Sequence, residues 1–289
     1  MKSKFRLCCF GALNTLLLVI SAFGQAPDGQ SQQEHFARSF ALTPAGTLIV
    51  NNDKGSIHIE GTAGDQVVVN VEKKFDGSDA DRKWWMANTH VTFENDPAKV
   101  RVSVEYPVVR CDSGCVQNEH SNYSGAVELT IQAPRRTNLE LAGHKPDMRI
   151  SATDGDIRIR SHKSPIEIAA TTGGISIDTD KETVRLRDVN LRGPLKLQME
   201  KGEAVIEAKS LGNEVNINTE KGSVVLRVPA NTAFTVDYAG GRRASFHSDL
   251  PITSDAGYRT GELRGSVNGG GTRLNLRTEK GSISIETLR

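Results

Sequence analysis

Apolar positions between Thr137 and Val228 recur in a short unit that is repeated ten times. With Thr137, Pro146, Gly155, Ser164, Gly173, Glu182, Gly193, Gly202, Asn213 and Gly222 as anchors, the steps are 9, 9, 9, 9, 9, 11, 9, 11 and 9 residues. An apolar side chain stands two and four residues after every anchor. Apolar residues two apart share one face of a strand, and so short a period leaves room for a strand and a turn but no helix. Two units make a coil of 18 to 20 residues, so the pattern predicts an all-β solenoid with two short strands per coil.

Stacked coils would set the inward residues in columns. One sheet would hold Leu139, Ile157, Ile175, Leu195 and Val215 beside Leu141, Ile159, Ile177, Leu197 and Ile217. The opposite sheet would hold Met148, Ile166, Val184, Ala204 and Val224 beside Ile150, Ile168, Leu186, Ile206 and Leu226. Each such side chain, fully buried, is worth roughly 1.5–3 kcal/mol before entropy is subtracted. Outward positions alternate in sign, as Arg149, Glu167 and Arg185, and as Arg187, Glu207 and Arg227. Opposite charges on neighbouring strands attract, so the alternation reads as a register device on a solvated face.

Similar units flank the block, from Gly46 to Val71 and again from Thr272 to Ile285. Asp/Glu-Lys-Gly recurs at 53–55, 200–202, 220–222 and 279–281, where glycine is expected to supply the positive φ of a tight turn. These turns lack the dense carboxylates of calcium-binding repeats. The regular coils span 136–228, and excursions at 72–131 and 229–265 break the period. The first excursion holds the one expected helix, around Asp79 to Ala87, with Ser78 as N-cap and Asp81 in its first turn.

Residues 1–24 read as a signal peptide. Lys2, Lys4 and Arg6 precede the apolar stretch from Leu7 to Ile20, and Ala22-Phe23-Gly24 places cleavage before Gln25. Cys8 and Cys9 sit within that stretch and not at the cleavage site, so lipidation is not expected at either. A flexible mature N-terminus at 25–35 and a single domain at 36–289 complete the expected organisation. No later segment reaches the roughly 20 apolar residues of a membrane helix. Loss of the signal takes 36 Lys+Arg to 33 against 35 Asp+Glu, a net charge near −2. Such a balance argues against nucleic acid as partner.

The run Gly46-Thr47-Leu48-Ile49-Val50-Asn51-Asn52-Asp53-Lys54-Gly55-Ser56-Ile57-His58-Ile59-Glu60-Gly61 resembles the opening of the bacterial putative-adhesin domain family. Ile131-Gln132-Ala133-Pro134, the repeat Thr153-Asp154-Gly155-Asp156-Ile157 and the closing run from Gly265 to Gly281 are similar to it as well. The resemblance covers roughly 36–289 and rests on structural motifs, not catalytic ones. It implies a right-handed β-solenoid at the bacterial envelope, in the periplasm, on the outer surface or secreted, with adhesion as its role.

Candidate chemistry is sparse. Cys111 and Cys115 bracket a glycine turn and read most simply as a small disulfide in an oxidising compartment. A zinc site with His120 lacks a fourth ligand, and a redox pair lacks the tighter spacing of thiol motifs. Trp84, Trp85, His120 and Tyr123 are the candidate ligand contacts, although one tryptophan of such a pair commonly packs a helix onto its sheet. The histidines at 35, 58, 90, 120, 144, 162 and 247 show no metal spacing. No catalytic residue, metal or cofactor is expected. The functional expectation is a non-catalytic envelope module binding a polysaccharide or a surface protein, with specificity in the 105–125 loop or the 229–265 excursion. A self-assembling scaffold joined through solenoid ends is the alternative. A β-helix polysaccharide lyase or hydrolase, with Arg160, Asp178, Arg185 and Glu207 as outward candidates, is the third.

Overall fold

Where apolar and polar residues alternate, the chain is strand. The computed structural model describes residues 34–107, 125–254 and 261–288, all of which lie in the compact unit Ser31–Arg289. The expected signal peptide, Cys111, Cys115, His120 and Tyr123 lie outside the described residues. The N-terminal elements are β1 (Glu34–Ala41), β2 (Thr47–Asn51), β3 (Lys54–Thr62), β4 (Gln66–Lys74), α1 (Asp79–Asn88), β5 (His90–Asp96) and β6 (Lys99–Glu105). Then come β7 (Ala126–Pro134), β8 (Asn138–Gly143), β9 (Lys145–Ser151), β10 (Ile157–Lys163), β11 (Ile166–Ala169) and β12 (Thr172–Lys181). Two long strands follow, β13 (Thr183–Ser210) and β14 (Glu214–Val228). The last elements are β15 (Phe234–Gly240), β16 (Ser245–Ser248), β17 (Thr253–Ser254), β18 (Glu262–Val267), β19 (Thr272–Thr278) and β20 (Ser282–Thr287).

Within the repeat, the expected register is observed. Leu139, Ile157, Ile175, Leu195 and Val215 follow one another across β8, β10, β12, β13 and β14, all paired in parallel. Met148, Ile166 and Val184 do the same across β9, β11 and β13. All twenty residues expected to face inward are buried and belong to one apolar core. The flanking units extend the same columns: Leu48 pairs with Leu139, and Leu274 with Val215.

The architecture itself departs from the expected right-handed β-solenoid with two short strands per coil. All twenty strands belong to one sheet, which curls into a nearly closed barrel with mixed parallel and antiparallel pairing. Two features produce the difference. Strand β13 runs 28 residues and β14 runs 15, so units expected as separate strands fuse through their turns. Outside the repeat, β4 pairs antiparallel with β1 and β7, β5 with β6, and β18 with β15 and β17. The repeat carries no information about those segments.

Helix α1 starts as expected. The Ser78 hydroxyl accepts from the Asp81 N–H at 3.2 Å, and Asp79 and Asp81 lie in the first turn. Trp85 anchors the helix: only 1% exposed, it packs at 5.5 Å from the Phe75 ring and 6.3 Å from Tyr106. Tyr106 closes the same corner. Its hydroxyl lies 2.7 Å from Asn52 Oδ1 and within hydrogen-bonding reach of the Lys54 carbonyl, and accepts from the Val127 N–H at 3.3 Å.

The Asp/Glu-Lys-Gly turns have two different reasons for glycine. Gly55 and Gly202 have φ of 107° and 124°, in the left-handed region. Gly281 has no such φ, but a Cβ there would lie 1.9 Å from the Gly222 carbonyl oxygen of the neighbouring strand. At Gly202 both reasons apply, since a Cβ would also meet the Glu182 carbonyl at 2.1 Å.

Gly202→Ala should therefore lower stability by at least about 1–3 kcal/mol in denaturant titration, whereas the exposed Gln198→Ala should change it by less than about 0.5 kcal/mol. Burial holds the Tyr106 phenol well above its ordinary value of 10.0. The unfolded chain then loses its tyrosine proton first, so stability is level up to about pH 10 and falls above it. Tyr106→Phe should cost about 0.5–1.5 kcal/mol at neutral pH. It should also remove part of that alkaline loss, leaving the share due to Tyr238, which burial raises as well.

Candidate functional site

Inward positions are committed to the core, so binding chemistry falls to the outward columns and to the chain inserted between β14 and β19. Parallel pairing sets successive outward side chains at the strand separation of about 4.8 Å. Along β8, β10, β12, β13, β14 and β19, one outward column reads Glu140, Arg158, Ser176, Lys196, Asn216 and Asn275. The next reads Ala142, Arg160, Asp178, Gln198, Asn218 and Arg277. Between these columns lies an open groove of about 430 Å³.

Some of its side chains are held in place. Asn275 Nδ2 donates to Asn216 Oδ1 at 2.7 Å and to Glu214 Oε1 at 3.2 Å. Arg277 donates to the Asp237 carbonyl at 2.8 Å and pairs with its carboxylate at 3.2 Å. Arg158 pairs with Glu140 at 3.8 Å. Arg160, Asp178, Lys196, Gln198 and Asn218 are exposed in the groove, and none of the three charged ones forms an ion pair with a described residue. The groove thus offers amide, guanidinium, ammonium and carboxylate groups at regular intervals. That chemistry suits a hydroxyl-rich chain laid across the strands.

A second cavity, of about 610 Å³, lies within the 229–265 excursion. Its floor holds Tyr238 and Phe246, with ring centroids 4.8 Å apart, together with Leu250, Ile252 and Leu263. On its rim His247 Nε2 lies 3.0 Å from Asp249 Oδ1, and the Ser248 hydroxyl is turned back onto the Leu250 carbonyl at 2.9 Å. An apolar floor with a polar rim can seat a small apolar group.

Outward charges on the opposite face are tied together. Arg227 pairs with Glu207 at 2.9 Å and Glu286 at 3.0 Å, and these carboxylates hold its guanidinium above its ordinary value, Glu286 contributing most. Arg187 pairs with Glu167 at 3.2 Å. Two histidines far apart in the sequence meet: His144 and His162 stack at 4.7 Å, and His162 Nδ1 pairs with Asp180. Their separation of 18 residues, one repeat of the register, is the sequence signal that could have found them. Among the described residues no group of three or more His, Cys, Asp and Glu is placed to hold a metal ion. Of the expected ligand contacts, Trp85 is taken up by packing and Trp84 is 40% exposed.

No protein-family model matches the chain, and no curated protein does. Solved structures give loose likenesses. One is a putative cell adhesion protein from Clostridium sporogenes, 13% identical over 89% of this chain and 100% of that one, with a TM-score of 0.40. Another is a putative adhesin from Bacteroides fragilis, 9% identical over 88% of this chain and 97% of that one, with a TM-score of 0.25. A third is a putative lipid binding protein from Parabacteroides distasonis, 7% identical over 88% and 97%, with a TM-score of 0.26. Nothing about function follows from likenesses this loose. No helix among the described residues is long and apolar enough to cross a membrane.

The two tryptophans should separate cleanly in fluorescence. Trp84→Phe should leave a blue-shifted emission that acrylamide quenches poorly, and Trp85→Phe a red-shifted one that it quenches readily. Trp85→Ala should cost about 3–5 kcal/mol of stability.

Proposed function

We propose that this chain is a non-catalytic binding module, exported to the bacterial envelope, that holds a polysaccharide in the groove across β10, β12, β13, β14 and β19. The observation that carries the reading is the regular exposure of Arg160, Asp178, Lys196, Gln198 and Asn218 on a rigid sheet face. Sugars are bound through many hydroxyl contacts, and a ladder of fixed polar groups supplies these without the entropy cost of ordering a loop. The strands beneath are paired in parallel and their inward side chains are buried, so the groove is formed before a ligand arrives.

Glycan cleavage in most families uses two carboxylates flanking the scissile bond. Among the residues lining this groove the carboxylates number one, Asp178, which favours binding over turnover. The cavity of the 229–265 excursion is a separate feature on this reading, suited to an apolar substituent.

Retention on a panel of immobilised neutral and acidic glycans, with chain length followed at the same time, tests the proposal. The native chain should be retained by at least one glycan with no shortening of it. Gln198→Ala with Asn218→Ala should weaken that retention about tenfold while leaving the melting temperature in place. Shortening of the glycan, or retention indifferent to both substitutions, would remove the groove from consideration.

A further inference from the structure

One outward column departs from the alternation of sign seen where charged side chains face one another on neighbouring strands. Across β9, β11 and β13 the chain places Arg149, Glu167 and Arg185 on successive strands, and farther along Glu207, Arg227 and Glu286. Neighbours there are opposite in sign. At the corner where each strand turns, the equivalent positions are instead Lys54, Lys145, Lys163, Lys181, Lys201, Lys221 and Lys280. The register places them side by side. Lys54 pairs with Lys145, Lys163 with Lys181, and Lys201 with Lys221. The Lys163 N–H donates to the His144 carbonyl at 2.8 Å, which sets Lys163 beside Lys145. The offset of 20 between Thr179 and Met199 sets Lys181 beside Lys201, and that of 59 between Thr219 and Thr278 sets Lys221 beside Lys280.

Seven lysines thus stand in single file, six on strands and Lys280 in the turn after β19, over roughly 29 Å at the strand separation of about 4.8 Å. Like charges directly opposite one another on neighbouring strands are destabilising, so stability alone would not produce such a column. The crowding is felt: Lys54 has its pKa lowered, first by burial and then by Lys145. Of the other six, none forms an ion pair with a described residue.

We infer that this lysine ridge is a docking edge for a linear acidic polysaccharide running across the strands, one charge of the polymer near each ammonium. The width of the ridge selects the partner. The residue before each lysine is Asp53, His144, His162, Asp180, Glu200, Glu220 or Glu279, so a column rich in carboxylates runs beside the cationic one. A flat anionic bilayer would meet both columns and be repelled by one. A slender polyanion can lie along the lysines alone. Single-stranded nucleic acid is slender as well, but it is held by aromatic side chains on which bases stack, and the ridge offers only His144 and His162, which stack on each other. The ridge is separate from the groove: Lys163 stands three residue steps, about 10 Å of strand, beyond Arg160.

The test uses the purified full chain and four probes: polygalacturonate, neutral dextran, phosphatidylglycerol vesicles and oligo(dT). Polygalacturonate should bind and the other three should not, and binding should fall steeply as salt is raised. Lys181→Gln, Lys201→Gln and Lys221→Gln together should weaken it at least about tenfold. A control that removes the same charge elsewhere, at Lys83, Lys99 and Lys209, should change it less than about twofold. The ridge variant should melt no lower than the native chain, because it relieves repulsion. Were it to melt lower, Lys201→Gln alone should still weaken binding about twofold. The inference is overturned if polygalacturonate binds no better than dextran, or if the control loses as much as the ridge variant. It is overturned equally if vesicles or oligo(dT) bind instead, or if binding ignores the lysines and is lost with Arg160→Ala.

Discussion

Everything in this molecule depends on backbone stacked on backbone at one fixed separation and in one register. From β8 to β14 and on to β19, each parallel strand pairs with its neighbour with equivalent residues aligned, at offsets of 18, 20 or 59 positions. That constraint puts apolar side chains over apolar side chains along the whole length of a thin interior. It also fixes where glycine must stand, because at Gly155, Gly212 and Gly281 a Cβ would lie between 1.9 and 2.2 Å from the carbonyl oxygen of the adjoining strand. The offset of 59 shows how strict the register is. The segment inserted after Val228 departs, forms β15 to β18, and returns so that Leu274 and Ile283 continue the columns of Val215 and Val224.

Alternation of apolar and polar residues is a local signal, and what it reports was legible. The inward set, its columns, the helix and its Ser78 cap could all be read without coordinates. Closure of the sheet could not. Nothing in a nine-residue period says whether Thr183–Ser210 is three strands or one, because the residues at a turn and those of a strand that bends through a corner are the same. Antiparallel partners were equally hidden, since β4 alternates in the same way whether β1 or β7 lies beside it. Long-range polar contacts are invisible for a similar reason: Tyr106 meets Asn52 only because β6 pairs with β2.

The binding surface was the least legible part, and the physics explains why. An inward side chain must be apolar and of the right size, whereas an outward one is free to be almost anything. The places where the period fails point to the 105–125 loop, most of which lies outside the described residues, and to the 229–265 excursion, while composition adds Trp84 and Trp85. The two tryptophans divide between packing and solvent, and the excursion yields a cavity with an apolar floor and a polar rim. The richer polar surface lies on the regular strands themselves, whose inward half does the stacking and leaves the outward half free for a ligand.

A fold that superimposes the same position of successive repeats turns a sequence motif into a line in space. Asp/Glu-Lys-Gly is unremarkable as a turn. Repeated in register it becomes a row of ammonium groups beside a row of carboxylates, neither of which exists in any one repeat. Charge columns therefore carry information that clusters carry in other proteins. An alternating column, such as Glu207, Arg227 and Glu286, neutralises itself and holds the register. A single-sign column cannot do so along its own length, and a counter-charge laid along it from outside the chain relieves that repulsion. The distinction between the two kinds of column, and not the position of any single residue, separates what this sheet needs in order to fold from what it presents to a partner.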